Sequence, residues 1–541
     1  MAGAVRVRRG SGAVARLRSV RPVSALGLAV PVALVVAGVA VPLVYLVVRA
    51  GEADPAVLAD LLWRPRTARL AANTLGLALG TVALSTLLAA PLAWVAARAD
   101  VPWRRAVTFV GVLPLAIPGY VMAYALLGAA GERGLVAEAT GLVIPRPAGF
   151  WGALVTLSLA SFPYLFLNLR AALSGLDPAP EEAARSLGLG PAAVLRRVVV
   201  PQLRPAWLAG ALLVALHALG DFGVVSLVRF ETFSQAIYLQ YSASYDRVYA
   251  AALALILLAL TAGLLALEAR VLGAARFERG SAARTVPRVS LGAWTVPVLA
   301  GVVLVALVAV GLPLATMGFW LGRGADAGAV DWSGVVEALV NSVSAAAPAA
   351  ILAAALAVPI AVVGVRRPGG ISAGASRAVE RAAYLGYATP PLALALALVV
   401  FTVRAAPWAY QTLGLLVAAY ALHFLAEAIG PVRSALHQAP AAAEWAARSL
   451  GRSPVRAFWE VTLPQIRSGL GASVAFVFLG ALKELPLTIL LSPLGFTSLS
   501  MGVWGAAGEA LYAVAAPYAL VIVACAGGLV WLVIRGTADA R

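Results

Sequence analysis

Long apolar runs separated by short polar connections fill almost the whole chain. Twelve of these runs reach about 20 residues, the length of helix that crosses a hydrocarbon core of roughly 30 Å. Because a bilayer interior offers no water to backbone amides, each run is expected to form a helix, or a broken helix that its neighbours shield. The runs lie near residues 25–48, 73–97, 106–129, 150–172, 206–228, 249–269, 292–317, 340–364, 383–403, 410–428, 469–491 and 512–534. The pattern predicts an all-α polytopic membrane protein with about 12 transmembrane helices.

The composition excludes a soluble protein. Of the 541 residues, 62% are hydrophobic and 12% are charged, and the mean hydropathy is +0.91, which leaves too little polar surface for a soluble domain of this size. The net charge is +17, but the arginines cluster between apolar runs and not along one amphipathic face. We therefore expect a lipid bilayer, and no nucleic acid, among the partners. The single cysteine, Cys525, excludes an intrachain disulfide and a thiolate metal cluster.

The arginine clusters predict the orientation, because Arg and Lys are retained on the cytoplasmic side of a membrane. A basic arm of residues 1–22 places the N-terminus inside, and every second connection should then also be basic. The connections after the second and eighth runs fit this expectation, whereas the intervening loops are mixed or acidic. Both termini are therefore expected in the cytoplasm. The basic residues are Arg98, Arg104 and Arg105 in one connection and Arg366, Arg367, Arg377 and Arg381 in the other.

A polar, proline-punctuated segment occurs twice, as EEAARSLGLGPAAVLRRVVVPQLRP at 181–205 and as EWAARSLGRSPVRAFWEVTLPQIRS at 444–468. Aligning Gly188 with Gly451 gives 12 identities in 25 positions. The second run of each half also begins alike, with AANTLGLALG and LVNSVSAAAP. Six runs per half is an even number, so the halves should form a parallel repeat about an axis along the membrane normal. The predicted domains are the arm 1–22, the first half 23–269 with its cytoplasmic loop 176–205, the linker 270–290, and the second half 291–541 with its cytoplasmic loop 439–468.

Each copy of this segment carries the signals of two short helices separated by a break. In the first copy Pro178 and Pro180 favour a helix start, acidic residues follow in the first turn, and Gly188 is the expected left-handed stop. The second helix is predicted to begin at Pro191 and to end at Pro201. A compact helical elbow on the inner surface should result. The second copy repeats these signals at Pro454 and Pro464, with Ser453 as a cap.

These residues resemble the cytoplasmic signature loop of ABC importer permeases of the type I fold. That pattern is Glu-Ala-Ala, three residues, Gly, nine residues, then an aliphatic, any residue, an aliphatic and Pro. In the second copy Trp445 replaces the glutamate and Glu444 lies one residue earlier, which turns a helix by about 100°, so it is open whether Glu444 makes the family contact. The matching residues are Glu182, Ala183, Ala184, Gly188, Val198, Val200 and Pro201 in the first copy and Ala446, Gly451, Val461, Leu463 and Pro464 in the second.

The resemblance implies that each loop is a coupling helix docked on a separate ATP-hydrolysing subunit. Two loops imply two copies of a cytoplasmic ABC ATPase, which bind ATP and Mg, and no cofactor in this chain. A phosphate-binding GxxxxGK[ST] loop needs a lysine before Ser or Thr, and the only lysine, Lys483, precedes Glu484, so the chain should be no enzyme itself. Alternatively, each elbow only stabilises its span at the interface. The expected partner-binding residues are Glu181, Glu182, Ala183, Ala184, Arg185 and Gly188 in one loop and Glu444, Ala446, Ala447, Arg448 and Gly451 in the other.

Ionisable residues interrupt the fifth and eleventh runs at equivalent positions. Asp221 aligns with Glu484, and each lies about 15 residues into its run, roughly 22 Å along a helix. Charges at that depth are costly and usually face an internal cavity or a partner. Asp221, Lys483 and Glu484 are therefore candidates for lining the translocation path or holding its outer gate, and the glycines and proline beside them would loosen the helix. Alternatively, Lys483 and Glu484 reach the outer aqueous interface.

The segments GDFGVVSL in the first half and KELPLTILLSPLGF in the second resemble ferric iron importer permeases with two fused halves. This implies ferric iron as cargo, delivered by an external or periplasmic solute-binding protein, and a multi-pass location in the bacterial plasma membrane. Permeases for thiamine, aminoethylphosphonate, polyamines or sulfate share the architecture and are alternatives. Another is a secondary transporter of six plus six helices, whose Gly- and Asp-bearing signature is replaced here by ARADVPWRRA. No His, Cys or carboxylate set has metal-ligand spacing, so no metal site is expected.

Overall fold

The computed structural model describes residues 25–52, 54–242, 247–272, 288–366 and 386–538, together with residues 374, 379 and 383. The arm 1–22, most of the linker 270–290, and Arg367, Arg377 and Arg381 lie outside these described residues. Within them the prediction of an all-α polytopic protein is confirmed. The β structure in the described residues is a parallel pairing of two two-residue strands, Ala99–Asp100 and Val289–Ser290.

The helices follow one another closely, with short connections. In the first half they are Ala25–Gly51, Pro55–Trp63, Pro65–Arg98, Arg104–Val112, Leu113–Ala116, Gly119–Ala129, Leu135–Thr140, Gly149–Gly175, Ala179–Ser186, Pro191–Val194, Leu195–Val199, Val200–Gly220, Gly223–Leu227, Phe233–Ser242 and Arg247–Leu272. In the second half they are Gly292–Trp294, Thr295–Ala306, Leu307–Gly311, Leu312–Asp326, Trp332–Arg366, Pro391–Ala405, Pro407–Ala409, Leu413–His423, Leu425–Gln438, Ala441–Ser449, Pro454–Ala457, Phe458–Thr462, Leu463–Leu482, Pro486–Leu491, Leu499–Gly508 and Tyr512–Ala538.

Every predicted span coincides with a helix, with a bent pair of helices or, for the fifth and eleventh spans, with a helix that breaks and is followed by a short second helix. In the described residues nine helical segments are long and apolar enough to cross a membrane, and two bent pairs bring the number to eleven. The third predicted span is one such pair, Arg104–Ala116 with Gly119–Ala129, bent by 96°. Ile117 is extended there, as expected for the residue before a proline. The ninth predicted span is the shorter apolar helix Pro391–Ala405.

The chain divides into two compact units. The smaller comprises the described parts of residues 1–40, 349–386 and 421–477. Within it the helix before the second elbow packs closely against the helix after it. At Gly469 an added Cβ would come within 2.6 Å of the Ala435 Cβ. Small residues of this kind let two helix backbones approach closely in a membrane.

The larger unit comprises the described parts of residues 41–348, 387–420 and 478–541. Three of its long helices, Pro65–Arg98, Gly149–Gly175 and Val200–Gly220, pack against one another. The Trp207 indole donates a 3.0 Å hydrogen bond to the Thr86 hydroxyl across two of them. This three-helix contact holds the first polar segment and the acidic position Asp221, which lie at opposite ends of Val200–Gly220.

The helix after each glycine break does not end at its proline, and that prediction is wrong. In the first copy the helix runs through Leu195–Val199 and on to Gly220. Leu195–Val199 is a wide π-turn, in which the Val200 N–H bonds back to the Leu195 carbonyl. The π-turn ends one hydrogen-bond register and begins another, so Pro201 falls in a first turn, where its missing N–H is tolerated. The second copy repeats this with Phe458–Thr462 and Pro464.

Candidate functional site

The first elbow, residues 176–205, consists of two short helices around a left-handed glycine. Helix Ala179–Ser186 is closed by a 3.1 Å hydrogen bond from the Leu189 N–H to the Ala184 carbonyl. Gly188 adopts a φ of +82°, which would strain any residue with a Cβ. The predicted helix stop is therefore present at the predicted residue.

A buried ion pair anchors the first elbow to the second span. Arg98 Nη2 donates to Glu181 Oε1 at 2.8 Å, and Arg98 Nε donates to the Leu173 carbonyl at 3.1 Å. Both charged side chains are more than nine-tenths buried. The more exposed Arg185 lies 3.6 Å from the other Glu181 oxygen. The pair therefore joins the ends of two spans to the elbow helix, and loss of either partner would leave a buried charge.

The second elbow, residues 439–468, repeats the backbone of the first. Gly451 adopts a φ of +85°, and the Ser453 hydroxyl accepts a 3.3 Å hydrogen bond from the Arg456 N–H. The predicted stop and cap are both present. The two elbows are therefore alike in local structure as well as in sequence.

The anchor of the second elbow differs. Glu444, the counterpart of Glu181, is half-buried and accepts a 2.9 Å hydrogen bond from the Thr462 hydroxyl. Arg366 ends the second span of its half as Arg98 does, and it donates to the Ala439 carbonyl at 3.0 Å. Glu444 is thus turned towards its own elbow, whereas Glu181 is turned towards the second span.

The tip of each elbow presents an exposed leucine. Leu187 is 83% exposed and Leu450 is 86% exposed. Trp445, at the position of the exposed Glu182, is 60% exposed. Large apolar side chains set among charges are typical of protein contact surfaces. Among the predicted partner-binding residues, Glu182, Ala183, Arg185, Gly188, Ala446 and Gly451 are exposed, Glu444, Ala447 and Arg448 are half-buried, and Glu181 and Ala184 are buried.

The predicted fifth and eleventh spans are broken at their acids and are not continuous helices. Asp221 follows the helix end at Gly220 and accepts a 2.9 Å hydrogen bond from the Val224 N–H. Glu484 accepts a 3.2 Å hydrogen bond from the Leu487 N–H. Each carboxylate therefore caps the first turn of the short helix that follows it, which satisfies an amide that the break leaves unpaired.

Lys483 reaches the bend of the third span. Its Nζ donates to the Leu115 carbonyl at 3.2 Å, and Leu115 lies in the last turn before the 96° bend. Asp221 lies at the same bend, because a Cβ added at Gly119, the first residue of the helix after the bend, would be 3.4 Å from Asp221 Oδ2. All three candidate path residues are half-buried, and they share one polar cluster with a bent helix.

Equivalent hydrogen bonds anchor the segment beyond each break to the second span of its half. Asn73 donates to the Glu231 carbonyl at 2.9 Å, and the Thr74 hydroxyl accepts from the Phe233 N–H at 3.1 Å. The alignment of AANT with LVNS indicates a repeat, but it does not predict that these residues bond to the segment beyond each break. In the second half Asn341 donates to the Thr497 carbonyl at 3.1 Å, and the Ser342 hydroxyl accepts from the Leu499 N–H at 2.9 Å.

An aromatic cluster joins the segments that follow the two acids. The Trp504 indole donates to the Ser226 hydroxyl at 2.8 Å. Phe222, next to Asp221, packs against Tyr238 and Trp504 with ring centroids 4.7 and 5.5 Å apart. The segment after the second-half acid is thereby held against the short helix after the first-half acid.

Two elbows, two broken spans and a repeated set of anchors define a transport permease with two related halves. The sequence matches the family described as binding-protein-dependent transport system inner membrane component, at residues 89–272 and 368–534. The chain belongs to this family and is the multi-pass permease of an ABC importer. Its partners are a solute-binding protein and an ATPase.

Similar proteins include permeases named for three cargoes. The Fe(3+)-transport system permease protein FbpB 2 of Haemophilus influenzae is 31% identical over 91% of this chain and 94% of its own length. The molybdenum transport system permease protein ModB of Azotobacter vinelandii is 32% identical over 29% of this chain and 70% of its own length. A probable sulfate transport system permease protein cysT of Helicosporidium is 29% identical over 36% of this chain and 73% of its own length.

Proposed function

We propose that the chain is the permease of a ferric iron importer. The similarity to the Fe(3+)-transport permease supports iron as the cargo, because it extends over 91% of the chain and so includes both halves. The similarity to the molybdenum and sulfate permeases covers 29% and 36% of the chain. A match that includes both halves also includes both broken spans.

Each elbow is proposed to dock one copy of a cytoplasmic ATPase subunit, so that two copies bind per chain. Leu187 and Leu450 would fill apolar pockets of these subunits, with Glu182 and Arg185 at the rim of one contact and Trp445 at the other. The buried Glu181 would hold its elbow from within. ATP and Mg would be bound by the ATPase, since the only lysine of the chain is followed by a glutamate and cannot complete a phosphate-binding loop.

The elbows are proposed to face the cytoplasm of a bacterial cell, and both termini would lie on the same side. The distribution of arginines supports this orientation. An external or periplasmic solute-binding protein would then deliver cargo to the opposite face. The polar cluster of Asp221, Lys483 and Glu484 would lie on the route between the two faces.

The polar cluster is also proposed to serve as the gate of that route. Closure of the ATPase pair would move the elbows and tilt the spans, and the bonds from Lys483 to Leu115 and from Trp504 to Ser226 would break as the route opens. Hydrolysis would restore them. Both bonds connect broken segments, which can rotate at their breaks with little cost to the flanking helices.

The test is uptake of radioactive ferric iron by cells that contain the chain together with its ATPase and binding protein. Uptake should require ATP and should be reduced by unlabelled ferric iron but not by molybdate, sulfate, thiamine, aminoethylphosphonate or polyamine. ATP-dependent uptake of one of those compounds instead would reject iron and keep the importer. Uptake that continues without ATP and stops when ion gradients are collapsed would indicate a secondary transporter and reject both.

A further inference from the structure

A cavity of about 700 Å³ lies beside the first elbow, apart from the polar cluster. Its walls come from the second span, the end of Gly149–Gly175, the helix after the elbow, and the segment between Pro297 and Val305. Every lining residue is apolar. The volume falls within the roughly 300–1,000 Å³ of small-molecule sites, but apart from the Trp94 indole the lining side chains offer a polar solute no hydrogen-bonding group.

The mouth of this cavity opens on the outer surface of the larger unit. Leu87 is 71% exposed there, and Leu195 and Val200 are 44% and 46% exposed. Leu87 belongs to a membrane-spanning helix, where such a side chain meets acyl chains and not water. The occupant that suits both walls and mouth is therefore the hydrocarbon chain of a lipid.

Three arginines on the helix after the elbow supply the charge for a headgroup. Arg196, Arg197 and Arg204 are exposed, and none of them forms an ion pair with another described side chain. Arg196 and Arg204 lie four residues before and after Val200, a wall of the cavity, so both belong to the helical segment that forms that wall. Arginine binds phosphate oxygens with strong charge-assisted hydrogen bonds.

The second elbow lacks this excess of positive charge. Its residues at the positions of Arg196 and Arg197 are Trp459 and Glu460. Glu460 is 2.6 Å from Arg456 and 3.3 Å from Arg452, so it compensates two arginines of its own elbow. The combination of an apolar cavity and uncompensated arginines therefore belongs to the first elbow.

We propose that this site binds one anionic diacyl phospholipid, with an acyl chain in the cavity and the phosphate among the three arginines. Leu195 and Val200 lie at the two ends of the π-turn, so the bound lipid packs against the joint between the elbow and its span. The lipid thereby stabilises the part of the chain through which the elbow moves its span. The site does not depend on the identity of the cargo.

The test uses the full chain in detergent, titrated with dioleoyl phosphatidylglycerol or dioleoyl phosphatidylcholine. Native mass spectrometry counts the retained lipids, and thermal melting follows stability. One phosphatidylglycerol per chain should be retained with a preference of about tenfold or more over phosphatidylcholine, and it should raise the melting temperature. Equal retention of the two lipids, or retention of neither, would overturn the proposal.

Two variants test the two parts of the site. The double variant R196Q/R204Q should lose the preference for phosphatidylglycerol, whereas Arg467→Gln, at the position of Arg204 in the second elbow, should keep it. Gly301→Leu should fill the cavity and reduce retention of lipid, because a Cβ at Gly301 meets no heavy atom within 4 Å and the fold tolerates it. Gly263→Leu, equally open but outside the cavity, should behave as the wild type. Lipid retention in Gly301→Leu equal to that of the wild type would contradict an acyl-chain site.

Discussion

Arg98 and Glu181 form a 2.8 Å ion pair, more than nine-tenths buried, that joins the end of the second span to the first elbow. A connection shielded from water stays rigid, because neither charge can exchange its partner for solvent. In the second elbow Glu444 accepts a hydrogen bond from Thr462 of the same elbow, and Arg366 ties the end of the span to the Ala439 carbonyl. The elbows therefore share a backbone and differ in how they are tied to the spans.

Replacing Arg98 by alanine should destabilise the protein strongly. The change leaves the Glu181 carboxylate buried without its partner, at a cost of about 3–5 kcal/mol. Arg185→Ala is the matched control, because Arg185 meets the same carboxylate at the surface, where an ion pair contributes about 0–1 kcal/mol. The measurement is the free energy of unfolding of the full chain in detergent. Equal losses in the two variants would mean that the buried pair is not the anchor of the elbow.

Replacing the exposed leucine of either elbow by serine should weaken ATPase binding without unfolding the chain. A central apolar contact contributes about 2 kcal/mol or more, so Leu187→Ser and Leu450→Ser should each lower the affinity about 30-fold. Stability should change by about 0.5 kcal/mol or less at such exposed positions. Leu494→Ser is the control, since Leu494 is 86% exposed but lies outside both elbows. The measurement is the affinity of each variant for the purified ATPase. An equal loss of affinity in Leu494→Ser and in the elbow variants would count against the elbow tips as the docking surface.

Removal of the Lys483 ammonium should favour the open state of the gate. A hydrogen bond to a charged group contributes about 1.5–3 kcal/mol, so Lys483→Met should shift the equilibrium between closed and open states about 10- to 100-fold. We expect faster ATP hydrolysis without cargo and slower uptake by the assembled complex. Lys483→Arg keeps a donor and should retain most of the uptake.

The path acids should affect transport and not assembly. Asp221→Asn and Glu484→Gln remove the charges and keep an acceptor for the helix caps, so the chain should still fold and bind its ATPase. Uptake by the assembled complex should fall in both variants, while ATPase binding stays as in the wild type. Wild-type uptake in both variants would remove Asp221 and Glu484 from the translocation path.

The anchors of the two broken spans should be of equal importance in the two halves. Thr74→Val leaves the buried Phe233 N–H without an acceptor, and Ser342→Ala does the same to the buried Leu499 N–H, at a cost of about 1–3 kcal/mol each. Thr140→Val, which removes an exposed hydroxyl bond, should cost far less. Chemical unfolding in detergent decides between these outcomes. A loss of stability in only one of Thr74→Val and Ser342→Ala would show that the repeated bonds do not stabilise the two halves equally.

Much of this architecture is predictable from the chain because its signals are local. Apolar length alone locates the spans, and Gly188, Gly451 and Ser453 act on their own turn, so helix stops and a cap are predicted at the correct residues. The predicted helix ends at Pro201 and Pro464 are wrong, because a π-turn changes the hydrogen-bond register just before each proline. The position of a proline in the sequence does not indicate that a π-turn precedes it.

The parts that the sequence does not predict are contacts between distant residues. Arg98 belongs to a basic cluster that indicates topology, and nothing next to it in the chain points to Glu181. The repeat offers the missing signal, since Arg98 and Arg366 end equivalent spans and reach a carbonyl just before the first elbow and at the start of the second. Likewise, the match between AANT and LVNS contains the residues that anchor both broken spans. Their anchoring role is seen only in the structure, which brings the segments after Asp221 and Glu484 next to them.

We propose that both elbows lie in the cytoplasm, where separate ATPase subunits bind them. Cys525 is the only cysteine of the chain, so Leu187→Cys and Leu450→Cys in a Cys525→Ala background each place a single thiol on one elbow tip. The most direct measurement is labelling of these variants with a membrane-impermeant maleimide in cells. Labelling is expected only after the membrane is permeabilised, with protection when the ATPase is bound. Labelling of either tip in intact cells would contradict a cytoplasmic location of that elbow.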